Sequence, residues 1–351
     1  MLPEVCVGLI VLGVTAYAVL GGADFGAGFW DLTAGGARRG GRVRGMVQRS
    51  MSPVWEANHV WLIFILVIAW TAFPVAFGSL FSTLSIPLFL AALGIISRGA
   101  AFALRGHAAT IREARTLGAV FAVSSVLTPF FLGAAVGGIA SGRIPVGNQA
   151  GDVVDSWLNP TAIAIGLLAV LTGAYLSAVF LAGDSERAGQ PDLVEAFRRR
   201  ALGAGLVTGA AALGTLLVVR SDARPLFDGL TSGAGLAAVA VSAAAGLLTL
   251  LLVAGRRFGR ARASSAAAVA AIVVGWALAQ DPYLLPGELT LEEGAASDAT
   301  LTALVVAVGI GFLILVPSLW YLYRLVLRGT LDQAFEPLDQ RFRADAAGDE
   351  R

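Results

Sequence analysis

Apolar residues gather along this chain in long, nearly unbroken runs, with polar residues confined to the short gaps between them. Runs near 5–34, 53–73, 78–104, 117–140, 160–182, 202–220, 232–254, 263–280 and 300–324 approach or exceed the roughly 20 residues that cross a hydrocarbon core as helix. The pattern predicts an all-α polytopic membrane protein with nine transmembrane helices in one domain over 1–324, followed by a tail at 325–351. The first run, from Val5, lacks the basic flank and small-residue cleavage site of a secretory signal and is read as the first span. The second and third runs are the least separated, because only a few residues around Pro74 divide them and a chain can turn or merely kink there.

Charge decides between nine spans and eight. The chain has no lysine, so its 25 basic residues are all arginine. With nine spans, 21 of them fall on one side: Arg38 to Arg49, Arg105 to Arg115, Arg187 to Arg200, Arg256 to Arg262, and Arg324 with the tail. Arg143, Arg220 and Arg224 fall on the other side, and Arg98 lies inside a span. Basic loops stay in the cytoplasm, which predicts an outer amino terminus and a cytoplasmic carboxyl terminus. Merging the second and third runs would throw the first basic loop onto the wrong side, so nine is the better count.

Composition agrees, with 57% hydrophobic residues, 14% charged and a mean hydropathy of +0.77. The single cysteine, Cys6, excludes a disulfide framework, and two histidines, His59 and His107, make a histidine-built metal or haem site in this chain improbable. Forty-three glycines point to closely approaching helices. A faint likeness between TAYAVLGGAD (15–24) and TGAYLSAVFLAGD (172–184) hints at two related four-helix halves plus one extra helix.

Four charged side chains within these runs need an account: Asp24, Asp31, Glu56 and Arg98. At 1.5 Å per residue, Asp24 lies about 15 Å from the cytoplasmic end of its span, Arg98 about 10 Å, and Asp31 and Glu56 about 5 Å. An unpaired charge in hydrocarbon costs about 2.5–3.5 kcal/mol on insertion scales. Asp31 and Glu56 can meet that cost at the headgroup boundary, and Arg98 by snorkelling along its stem. Asp24 is too short and too deep for either. It sits between Gly22 and Gly26, a small-xxx-small spacing that admits a neighbouring helix, so it is expected to face protein or internal water. Ionisable groups stepping inward from one surface suit proton relay through bridging water. His59, three residues after Glu56 and beside Asn58, reads as a proton carrier or structural partner more readily than as a ligand. His107 reads as a solvated loop residue. Pro87, Pro129 and Pro317 predict kinks, and Trp276, Tyr283, Trp320, Tyr321 and Tyr323 fit an aromatic belt with no assigned chemistry. On these features alone a proton-coupled secondary transporter is a competing reading, and a structural scaffold with incidental acids is a third.

Five segments, VLGGADFGAGFWDL (19–32), SPVWEANHVWLI (52–63), GIISRGAAFALRG (94–106), GWALAQDPYLLPGELTLEEGAASDATL (275–301) and VPSLWYLYRLVLRG (316–329), together resemble subunit II of the cytochrome bd-type quinol oxidases. The resemblance spans nearly the whole chain. It implies two four-helix bundles plus a peripheral helix, in a prokaryotic plasma membrane. It also implies an obligate partner, subunit I, that carries haems b558, b595 and d or a b-type substitute and oxidises a membrane quinol. Subunit II then supports assembly and haem retention, and lends acids to a proton path from the cytoplasm for reduction of dioxygen to water. In some members a quinone or lipid binds along this subunit, and some assemblies add a small single-span accessory subunit; no nucleic acid is involved. Residue by residue, Asp24 matches the second acid of the family's DGFDxGxG motif, Glu56 and Asn58 the acid and asparagine of its WDGN segment, and Arg98 the third-span arginine. Asp31 and His59 complete the proton-path candidates, with Arg98 and Asn58 as their charge or structural partners. The family's first motif acid is Gly21 here, Ala57 replaces the WDGN glycine, and His59 stands where Gln or Glu is usual.

Overall fold

The structure, a computed structural model, describes residues 1–35, 37–51, 55–105, 108 and 110–328, without the side chains of 37–39, 56, 111, 326 and 327. Its helices are α1 (Leu2–Ala16), α2 (Gly22–Leu32), α3 (Ala37–Met51), α4 (Trp55–Ala72), α5 (Pro74–Thr83), α6 (Ser85–Arg105) and α7 (Ile111–Ala140). They continue as α8 (Pro160–Arg187), α9 (Pro191–Asp222), α10 (Arg224–Leu230), α11 (Gly233–Ala254), α12 (Phe258–Gln280), α13 (Leu291–Gly294) and α14 (Asp298–Leu327). Among the described residues, eight helical segments are long and apolar enough to cross a membrane, and Ala57–Ala72 is a shorter apolar helix. The chain is therefore a polytopic helical membrane protein.

The first span, Leu2–Leu32, is one rod with a wide π-turn at Tyr17–Gly21, which separates α1 from α2. The turn accommodates the Tyr17 ring over Gly21, where an added Cβ would come within 2.9 Å of the ring. The helix expected from 78 instead divides at Leu84, and the separate α5 precedes it. This division changes the meaning of two prolines. Pro74 opens α5, and Pro87 falls in the first turn of α6, where a missing N–H breaks no helical bond. Pro129 and Pro317 do lie within helices.

Helices α6 to α9 pack in sequence order, α11 pairs with α12, and α1 lies against α4 and α14. Helix α2 sits in the crook between α7 and α8. Small residues permit that fit. A Cβ on Gly26 would run into the backbone carbonyl of Gly173, one on Gly28 into Ser125, and one on Gly22 would meet only the end of Leu176. The two faintly similar segments, 15–24 and 172–184, thus meet each other at Gly22 and Gly173.

At the end away from most arginines, Asp222 staples three elements. It accepts from Arg143 at 2.6 Å and from the hydroxyl and backbone N–H of Thr161, at the start of α8. The same end carries a small hairpin of β1 (Tyr283–Leu285) and β2 (Leu289–Thr290), which buries Leu285 and Leu289. Nearby, in the loop between α7 and α8, the backbone amides of Asp155 and Val154 hold the Asp152 carboxyl below the usual carboxylate range.

Gly26→Ala is expected to force α2 off the Gly173 backbone and destabilise the protein by about 1–3 kcal/mol or more. Gly203→Ala, where nothing lies within 4 Å, is expected to be neutral. Thermal unfolding of both variants of the purified protein checks the pair.

Candidate functional site

The site is a polar cluster buried where α2, α4, α6, α7 and α14 meet, and its first requirement is set by Arg98. That side chain is only 1% exposed, so the guanidinium does not snorkel to an interface. It is satisfied internally. Its Nε donates to Ser125 Oγ at 3.0 Å and its Nη2 to the backbone carbonyl of Asp24 at 3.1 Å. The rings of Phe25 and Phe121 present their faces to it at 4.8 and 5.2 Å. Ser125 is held ready by its own bond to the Phe121 carbonyl at 2.6 Å.

Asp24, 5% exposed, places its carboxylate beside α4. Asn58 Nδ2 donates to Asp24 Oδ2 at 2.5 Å and lies 3.4 Å from the Leu20 carbonyl. The other end of that amide, Oδ1, accepts from the Tyr323 hydroxyl at 3.1 Å. The acid is thus near a permanent cation without an ion pair to it: the hydrogen bonds that Arg98 makes among the described residues go to a hydroxyl and a peptide carbonyl.

Asp31 lies on the same helix seven residues on, at 3% exposure, with a different environment. Arg44 Nε reaches one carboxylate oxygen at 2.8 Å and Arg105 Nη1 the other at 2.9 Å. This acid is clamped between α3 and α6.

His59 points its Nδ1 at the Trp55 carbonyl, 2.9 Å away, and its ring packs among Tyr17, Phe25 and Trp55. It shares the Phe25 ring with Arg98 instead of bonding the acid. The side chain of Glu56, all of His107 and the tail beyond 328 lie outside the described residues. Among those described, no three of His, Cys, Asp and Glu converge as a metal site would need.

Three contributors have no signal in the sequence pattern. Ser125 and Phe121 look like ordinary residues of an apolar span, and Tyr323 like one more belt aromatic. Tyr17 is the fourth surprise: its hydroxyl is buried and has no hydrogen-bond partner among the described residues. Only the glycine at position 21, under its ring, could have pointed to it.

A buried acid and a buried arginine among apolar spanning helices define the chain as an integral membrane protein with a polar centre. The comparisons with known proteins narrow this. The sequence profile described as "Cytochrome bd terminal oxidase subunit II" matches residues 2–326. The chain is 26% identical over 330 residues to the putative cytochrome bd menaquinol oxidase subunit II of Bacillus subtilis (strain 168), covering 90% of this chain and 92% of that one. It is 29% identical over 125 residues to the cytochrome bd ubiquinol oxidase subunit 2 of the same organism, 36% of each chain. Its fold is similar to a chain in the structure of bd oxidase from Geobacillus thermodenitrificans, with a TM-score of 0.78, 26% identity, and coverage of 93% and 98%. This chain belongs to the cytochrome bd terminal oxidase subunit II family, the accessory, non-catalytic subunit of that membrane oxidase.

Asp31→Asn is expected to leave two arginines facing a neutral group and to destabilise the protein by about 3 kcal/mol, the lower range for breaking a buried ion pair. A fall in the unfolding temperature of the complex, with turnover per intact complex retained, is the expected result.

Proposed function

We propose that this chain is the subunit II of a quinol:dioxygen oxidoreductase and carries protons from the cytoplasm toward a partner subunit I. In this reading the nine crossings lie with the amino terminus outside and the basic loops and tail in the cytoplasm, in a prokaryotic plasma membrane. Subunit I holds the haems and oxidises the quinol. Two quinols give up four electrons and become quinones, and dioxygen takes those electrons with four protons to form two waters. The chain's own contributions are to stabilise subunit I and its haems, and to hold a proton at Asp24 on the way. A quinone or lipid along its surface and a small single-span subunit are further partners that fit the family.

One observation carries the proton assignment: Asp24 is buried beside Arg98 yet not bound to it through its carboxylate. Arg98 cannot lose its proton, and burying it alone is costly. The two hydrogen bonds and the two aromatic contacts that it makes among the described residues all go to neutral groups, so these contacts persist whether Asp24 is charged or protonated. An acid with one amide donor and a nearby cation can take up and release a proton without rebuilding the site. Asp31, with both oxygens engaged by arginines, fits an anchor at the entry better than a carrier. Glu56 and His59 remain candidates for the segment between the basic surface and Asp24, with bridging water closing the gaps. Arg98 and Asn58 are the charge and hydrogen-bond partners.

Asp24→Asn in the intact complex is expected to slow quinol-driven oxygen consumption at least tenfold while the haem absorbance spectrum is retained. Wild-type turnover would remove Asp24 from the path. The transporter reading predicts instead that vesicles containing only this chain accumulate solute under a proton gradient, and no such uptake is expected.

A further inference from the structure

A side-chain amide has two unlike ends in nearly the same shape, and a half-turn about its last bond exchanges them. For Asn58 the exchange matters, because Nδ2 toward Asp24 supplies a donor, whereas Oδ1 toward Asp24 would supply none. Asn58 is 2% exposed, so its orientation is decided by its fixed neighbours. The Leu20 carbonyl, 3.4 Å from Nδ2, can only accept and so favours nitrogen on the Asp24 side. That contact is long. The shortest contact is with Asp24 itself, whose carboxylate accepts from Nδ2 at 2.5 Å and so sets which end faces the acid. The opposite end is held by the Tyr323 hydroxyl, which donates to Oδ1 at 3.1 Å.

Tyr323 is unlike the other participants in where it comes from. It lies on α14, 265 positions from Asn58, and the same side chain lines a surface groove with Trp320, Arg324 and Arg328. One residue therefore borders both the exterior of the bundle and the buried amide that addresses the acid.

We infer that Tyr323 is a positioning residue for the proton step at Asp24: by donating to Asn58 Oδ1 it satisfies the far end of the buried amide and holds it where Nδ2 reaches the acid. It touches neither Asp24 nor any reacting group, and acts through Asn58. The inference rests on Asp24 being the proton carrier, and it deepens that reading by assigning part of the site to the final helix.

The test uses the intact oxidase complex with Tyr323→Phe, Asn58→Ala, the double variant and Asp24→Asn. Turnover is measured together with redox-triggered infrared difference spectra, in which the Asp24 carboxyl band is identified by its loss in Asp24→Asn. Tyr323→Phe is expected to slow turnover by about threefold to tenfold, the worth of one hydrogen bond, and to move the Asp24 carbonyl band to higher wavenumber as its amide donor is lost. In the Asn58→Ala background the Phe substitution is expected to add nothing. An unmoved Asp24 band, or an equal fold-loss in both backgrounds, would overturn the positioning role. 3-Fluorotyrosine at 323 keeps the packing and the donor while strengthening it. It should shift the band with complex yield unchanged, and an unshifted band in a well-assembled complex again counts against the proposal. The arms separate the two readings: wild-type turnover in Asp24→Asn sinks the proton path itself, whereas a slow Asp24→Asn with a silent Tyr323→Phe sinks only the positioning role.

Discussion

A guanidinium taken out of water keeps its charge, so the surrounding protein must supply dipoles and π-faces where water would have been. Arg98 imposes that demand on the core of this subunit. Meeting it requires a serine hydroxyl from α7, a peptide carbonyl from α2 and aromatic faces from both. Those groups reach it only because α2 fits closely against α7 and α8, and that fit is possible because Gly26 and Gly28 have no side chains in the way. Close packing and charge burial are therefore one problem with one solution.

The two acids of α2 show how little the residue type alone determines. Both are buried and both lie near arginines, but Asp31 meets guanidinium groups directly on each oxygen whereas Asp24 meets an amide. The first arrangement ties three helices together at the basic end. The second gives the Asp24 carboxylate one amide donor and no ion pair among the described residues. Under the proposed function a change of charge there has a use, since the reduction of dioxygen consumes protons as well as electrons.

Much of this architecture was legible in the amino-acid pattern. Long apolar runs and the one-sided distribution of arginine define the helices and loops, and the depth of Asp24 with its flanking glycines singles it out as a buried group. What escaped the pattern depends on contacts between distant segments. Hydropathy reports a run's length and not its breaks, so the π-turn at Tyr17–Gly21 and the division at Leu84 were invisible. Arg98 could be read as snorkelling because its stem is long enough; the groups that hold it inside are on other helices. Tyr323 has the composition of a membrane-interface aromatic, and nothing local indicates that its hydroxyl meets Asn58.

The wide turn in the first span has a consequence for how this subunit can change over time. One extra residue in a helical turn rotates everything beyond it by about 100° relative to what came before. Before the turn the rod rests on α4 and α14, and after it on α7 and α8. A single crossing is thereby split into two stretches packed mainly on different helices, with α4 touching both through Asn58 on Asp24. A replacement in one half of the rod is felt chiefly by that half's own set of helices.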